Sequence, residues 1–293
     1  MKQPNLVPVV VCDVYDRNLN WAADMAKGQA RKIRDFRDLL SDKSIDVVCI
    51  ATPDHWHPYI MVEACKQHKD VYVEKPISVT VDEGVKMVEA ARKYMRVAQA
   101  GTMQRSAKHF QEAVEIVRSG ELGKIAFVRT WNYGNDKQEG YGNPPDGNAP
   151  AGLDWDMWLG PAPRRPFNAN RFGVDPEDKY FSSFRWFWDY AGGMMTDWGV
   201  HLLDIVQMAS NEEMPTTITS VGGKYWLTMI VKRRILCKSA MNTRAASSRY
   251  TRTATATGTH CSIMITAFCF MVRKGRCSSI AEGIASFPRR NRT

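Results

Sequence analysis

The run DVYVEKP at residues 70–76 ends a hydrophobic stretch in a lysine, Lys75, followed by a proline. Much later, GGMMTDWGVH at residues 192–201 sets Asp197 and His201 four residues apart. That spacing puts a carboxylate and an imidazole on one helix face. One lysine, one aspartate and one histidine suffice for the proton chemistry of a hydride-transfer site. Histidine has the natural pKa for taking a hydroxyl proton. A lysine at the carboxyl end of a parallel strand points into the crevice where such sheets hold ligands. Two plainer readings fit the same residues: a surface lysine at a strand end, and a helical histidine inside its own domain.

Other residues could serve the same site. Asp13 ends the first strand, where an acid accepts hydrogen bonds from an adenosine ribose and disfavours a 2′-phosphate, selecting NAD over NADP. An ordinary strand-end aspartate looks the same. The stretch TPDHWHP at residues 52–58 could line the nicotinamide side of a cleft, or simply open a helix with Asp54 as its cap. His55 and His57 invite a metal, yet they point differently and no third ligand is near, so no metal is expected. Gln104 and Arg105 lie where two domains would join. Trp155 belongs to an aromatic run whose rings could stack on a sugar, although core packing explains most of its members.

These residues need a scaffold. Short apolar strands at Val9–Cys12, Asp46–Thr52, Asp70–Val73 and Val97–Ala100 alternate with helices over Asn18–Lys27, Pro58–Gln67 and a segment opened by the capping box of Thr80 and Glu83. Helices between apolar strands predict an α/β fold with a parallel, doubly wound sheet. A helix over Ser106–Ser119, a half-buried strand over Ile125–Tyr133, a loop over 134–152, a helix over Asp197–Ala209 and a strand over Thr216–Val221 predict a second α/β domain. The boundaries read as 1–104, 105–227 and 228–293.

Composition narrows the class. The chain has 293 residues and a formal charge of +9. No apolar run approaches the roughly 20 residues of a membrane span, and no membrane partner is expected. Seven cysteines without paired spacing argue against a disulfide framework. Residues 228–293 hold 13 Lys and Arg and one acid, so the basicity belongs to the tail and not to a nucleic-acid surface. This tail is expected to be irregular or disordered. Reading 228–243 and 250–275 back through a shifted codon frame permits acidic, aromatic strand-and-turn strings, which points to a frameshift near Leu227.

The segments VVVCDVYDRN, IDVVCIATPDHWHPYI, VYVEKPISVT, GLDWDMWLGPAP and GGMMTDWGVHLLD, in this order, resemble the Gfo/Idh/MocA family of oxidoreductases between about Val9 and Leu227. The resemblance implies an NAD-binding Rossmann domain and a carboxyl-terminal α/β domain with an open mixed sheet. It implies Lys75, Asp197 and His201 as catalytic residues and Asp13 as the ribose-binding acid. By position, Arg105 and Trp155 join Asp197 and His201 as substrate candidates, and Thr52, Pro53, His57, Glu74, Lys75 and Gln104 join Asp13 as cofactor candidates. The expected activity is hydride transfer from a secondary alcohol of a sugar or cyclitol. An NAD-dependent glycosidase that oxidises its sugar transiently, and an inactive fragment, are the alternatives. The expected glycine-rich phosphate loop is not found before Asp13, which predicts a truncated front and weak NAD binding. A homo-oligomer is expected of the intact ancestor, in the cytoplasm, or in the periplasm if a leader precedes the chain.

Overall fold

In this computed structural model the described residues are 7–132, 141–173, 183–210, 215–223, 236–243, 266–272 and 277–279. The first run is a βα alternation. Strand β1 is Val10–Cys12, helix α1 Asp16–Met25, β2 Arg31–Ile33, α2 Phe36–Ser41, β3 Val47–Ile50, α3 His57–Lys66, β4 Asp70–Val73, α4 Val81–Lys93 and β5 Ala98–Ala100. Strand β1 pairs in parallel with β2, and β3, β4 and β5 form a parallel three-stranded sheet. Helix α4 starts where its capping box places it: Glu83 N–H donates to Thr80 Oγ1 at 3.3 Å, and Thr80 N–H donates to Glu83 Oε2 at 2.8 Å.

The core of this run lies between β3–β4 and helices α3 and α4. Val48, Ile50, Val71 and Val73 alternate inward against Ile60, Met61, Ala64, Cys65, Met87 and Ala90. Strand β3 buries every second residue, and Val47 is 52% exposed. The apolar run from 46 to 51 predicts burial on both faces. Among the described residues α3 and α4 cover one face only, which explains the alternation.

Next come α5, Lys108–Arg118, and β6, Ile125–Asn132. After them lie two short helices, α6 Trp155–Leu159 and α7 Ala169–Phe172. Helix α8, Met194–Ser210, is followed by β7 Pro215–Gly223, β8 Leu236–Thr243, β9 Thr266–Val272 and β10 Cys277–Ser279. Strands β7 and β8 pair antiparallel, and β6, β9 and β10 form a second antiparallel group. Phe110 and Val114 of α5, Val128 of β6 and Leu202, Ile205, Val206 and Ala209 of α8 make a separate core.

The chain divides into two compact units, residues 1–101 with 143–192 and residues 102–142 with 193–293. Residues 143–192, read from sequence as part of the second domain, thus pack with the first unit. Backbone bonding explains the change: Asp154 N–H donates to Val14 O at 3.0 Å and Tyr15 bridges to Leu153. Within the tail read from sequence as irregular, β8, β9 and β10 are strands. The open edges of β6 and β7 offer backbone donors and acceptors to any extended segment, whatever its composition. The rest of 228–293, and residues 134–140 of the loop expected over 134–152, lie outside the described residues.

Candidate active site

The carboxyl ends of β3, β4 and β5 carry Thr52, Lys75 and Gly101, and parallel strands direct these ends toward the same edge of the sheet. The Lys75 backbone is tied on its amino-terminal side. Glu74 N–H donates to Ile50 O at 2.9 Å, and Lys75 N–H donates to Glu74 Oε2 at 3.2 Å. Tyr72 Oη donates to Glu74 Oε1 at 3.3 Å. A Cβ on Gly101 would come within 2.9 Å of Glu74 Oε2 and 3.0 Å of Tyr72 Oη, so the glycine makes room for this carboxylate. Burial and the Glu74 charge together push the Tyr72 phenol above its ordinary pKa. Glu74 therefore braces the lysine turn, a role that its place beside Lys75 did not announce.

The two histidines beyond β3 diverge in role. His57 is 1% exposed, with Nδ1 2.7 Å from Pro76 O and Nε2 2.7 Å from Thr52 O. Its ring is enclosed and both nitrogens face backbone carbonyls. Burial holds its pKa below the ordinary histidine value. His55 Nε2 lies 3.1 Å from Trp158 O, and its ring sits against Trp158 and Tyr190 at centroid distances of 5.5 and 5.2 Å. Burial pushes His55 down to about 4. Thr52 itself is exposed and Pro53 half-buried, so both remain open to a ligand.

Asp13 follows β1, and its Oδ1 accepts the Tyr15 N–H at 2.8 Å. Burial raises its pKa, against the lowering by the Tyr15 and Asn18 hydrogen bonds and the Arg34 charge. The residues just beyond it are held by the 152–154 segment, since Asp16 N–H and Arg34 Nη2 both donate to Gly152 O at 3.1 Å. Arg34 also pairs with Asp16.

The half-buried Trp155 belongs to this unit's aromatic cluster. It stacks on Trp158 at 4.7 Å and 13°, meets Phe167 edge-on, and donates its Nε1–H to Arg165 O at 2.8 Å. Stacking and a satisfied N–H fix the orientation of its ring.

In the second unit, Gly193 takes a φ of +66° that L-residues resist, and its carbonyl accepts from Thr196 and Asp197 N–H at 3.1 and 3.0 Å. This turn starts α8 and puts Asp197 in the first turn, where the helix dipole favours an acid. One turn on, His201 is 3% exposed with its ring 5.7 Å from that of Trp198. Gln104 and Arg105 lie on a 3-10 turn over Met103–Ser106. The Arg105 guanidinium meets the Asp204 carboxylate at 2.6 and 2.7 Å. Among the described residues no cluster of three metal-ligating side chains occurs.

Parallel strands joined by helices define an α/β protein of the Rossmann class, with Asp13 after β1 and Lys75 after β4. Two family models agree: "Oxidoreductase family, NAD-binding Rossmann fold" matches residues 2–102, and "Oxidoreductase family, C-terminal alpha/beta domain" matches 130–223. The chain belongs to the Gfo/Idh/MocA oxidoreductase family. Inositol 2-dehydrogenase of Salmonella typhimurium is 32% identical over 126 residues, 43% of this chain and 38% of that protein. The chain thus matches about two fifths of the length of this curated relative. The crystal structure of myo-inositol 2-dehydrogenase from Lactobacillus plantarum superposes with a TM-score of 0.67 at 16% identity, covering 96% of this chain and 70% of that one. Scyllo-inositol dehydrogenase from Lactobacillus casei, solved with NAD(H) and scyllo-inositol, gives 0.64 at 16% identity, covering 94% and 68%. Both structures show the fold.

Proposed function

We propose that this protein is an NAD-dependent oxidoreductase acting on a secondary alcohol of a sugar or cyclitol. The observation that carries the reading is Lys75, set at the carboxyl end of a central parallel strand with its backbone tied through Glu74. Family membership and the inositol dehydrogenases among the relatives support the substrate class.

The residues present fit the cofactor at two ends. The half-buried Asp13 carboxylate suits the adenosine ribose hydroxyls and opposes a 2′-phosphate, which favours NAD over NADP. The exposed Thr52 and the half-buried Pro53 and Lys75 suit the nicotinamide end. The β1–α1 connection, Asp13 to Tyr15, contains no glycine and supplies no phosphate cradle of its own. NAD, when bound, supplies the hydride acceptor.

The chain's own groups supply the proton chemistry. Lys75 holds and polarises the reacting oxygen, His201 takes the hydroxyl proton, and Asp197 orients the substrate hydroxyls and the imidazole. General-base help of this kind is worth about 10²–10⁴-fold, with positioning supplying more. Incubating the full chain with NAD and myo- or scyllo-inositol should give a steady rise in NADH that Lys75→Met abolishes. Hydrolysis of an aryl glycoside without net NADH would replace this reading with the glycosidase.

A further inference from the structure

We propose that His57 is a positioning residue whose imidazole ties the turn after β3 to the turn after β4 and so fixes the backbone that carries Lys75. Its catalytic consequence rests on the function proposed above; its geometry does not. Glu74 N–H to Ile50 O anchors the lysine from one side. On the other side the chain is anchored only one residue later, by Pro76 O at 2.7 Å from His57 Nδ1. The same ring reaches Thr52 O at 2.7 Å through Nε2. His57 itself stands at the end of the turn after β3, so its enclosed side chain links that turn to the turn after β4 through the Nδ1 contact alone.

A neutral imidazole has one N–H and can serve one of these carbonyls; an imidazolium serves both. Glu74 and the two carbonyls favour the second proton, while burial and the charge of Arg185 oppose it, as does a proton on the neighbouring His55. Burial prevails, and near neutrality the ring holds one proton. That proton belongs on Nδ1. The Pro76 contact is buried, where an unserved carbonyl is costly. The Thr52 contact is only part-buried, so with Nε2 bare that carbonyl can move off the ring and accept from water instead.

Substitution separates the two ends. Asparagine in place of His57 keeps an N–H near the Nδ1 position, glutamine keeps one near Nε2, and alanine keeps neither. In the full chain, His57→Ala and His57→Gln should raise amide hydrogen exchange at Glu74 and Lys75 at least about tenfold. Amides of α5 and α8 should be unchanged, and His57→Asn should stay near the parent. Equal exchange in all three variants, or a uniform rise across the first unit, overturns the proposal. Should a variant fail to fold, the imidazole ¹⁵N spectrum of the unaltered protein at neutral pH decides: Nδ1 protonated and Nε2 bare is expected, and the opposite tautomer overturns it. Neither measurement needs cofactor or turnover, so failure of the dehydrogenase reading would leave this result standing.

Discussion

Arg105 grips Asp204 across 99 residues of sequence, with Nε 2.7 Å from Oδ2 and Nη2 2.6 Å from Oδ1. The fork ties the 3-10 turn that carries Gln104 to the helix that carries His201. The Arg105 side chain is 48% exposed, so the pair contributes modestly despite its geometry. Arg105→Ala should cost about 1 kcal/mol or less in urea unfolding. Arg105→Lys should not restore the loss, because an ammonium cannot serve both oxygens in a plane.

Lys75 should matter to turnover and not to cofactor affinity. Lys75→Met in a chain that turns over is expected to lower kcat by about 10²-fold or more. NADH affinity by calorimetry should stay within roughly threefold, as expected for a group that acts on the transition state. Equal loss of both would remove Lys75 from the proton chemistry. Combining Lys75→Met with His201→Asn should cost less than the sum of the two, because groups that act on one substrate are not additive.

Asp13 should set cofactor choice. Asp13→Ala should weaken NAD binding about tenfold, the worth of a charge-assisted hydrogen bond, and narrow the preference over NADP. Burial raises the Asp13 pKa, so its carboxylate protonates earlier on acidification than an ordinary aspartate. NAD affinity should therefore begin to fall at a higher pH than it would for a solvent-exposed aspartate. A flat calorimetric profile through the acid range would contradict this assignment.

His55 should make the first unit acid-sensitive. Its folded pKa is pushed down to about 4 from 6.5 by burial against Trp158 and Tyr190. The unfolded chain then binds the proton more readily, so the contribution is complete above pH 6.5 and is lost as pH falls toward 4. A shift of this size corresponds to about 3 kcal/mol. Denaturation from pH 7 to 4 should show that slope, and His55→Gln should flatten it.

Gly101 should tolerate no side chain. Alanine there would put Cβ 2.9 Å from Glu74 Oε2 and 3.0 Å from Tyr72 Oη. Gly101→Ala is expected to cost about 1–3 kcal/mol, as overpacking does. It should also raise amide exchange at Lys75, whose N–H donates to the displaced carboxylate.

Much of the first unit was legible because its signals are local. Strand β4 falls at Asp70–Val73 as the apolar run and its flanks predict, and α4 begins at the Thr80 capping box. Strand β2 was not found, since Arg31–Ile33 is three residues long and two of them are charged and exposed. Helices α6 and α7, of five and four residues, carry too little periodicity to register. The start of α8 at Met194, earlier than Asp197, follows from the Gly193 turn, whose conformation no apolar pattern encodes.

The residues that could carry chemistry were fixed by the sequence alone: Lys75 and Asp13 at strand ends, and Asp197 and His201 one turn apart. Strand ends and helix turns follow from patterns a few residues long. What those residues and their neighbours touch was decided only in three dimensions. His57 reaches Pro76 across 19 residues, Arg105 reaches Asp204 across 99, and His55 reaches Trp158 across 103. Side-chain partners at such separations arise from how elements pack, and a linear pattern holds no term for that.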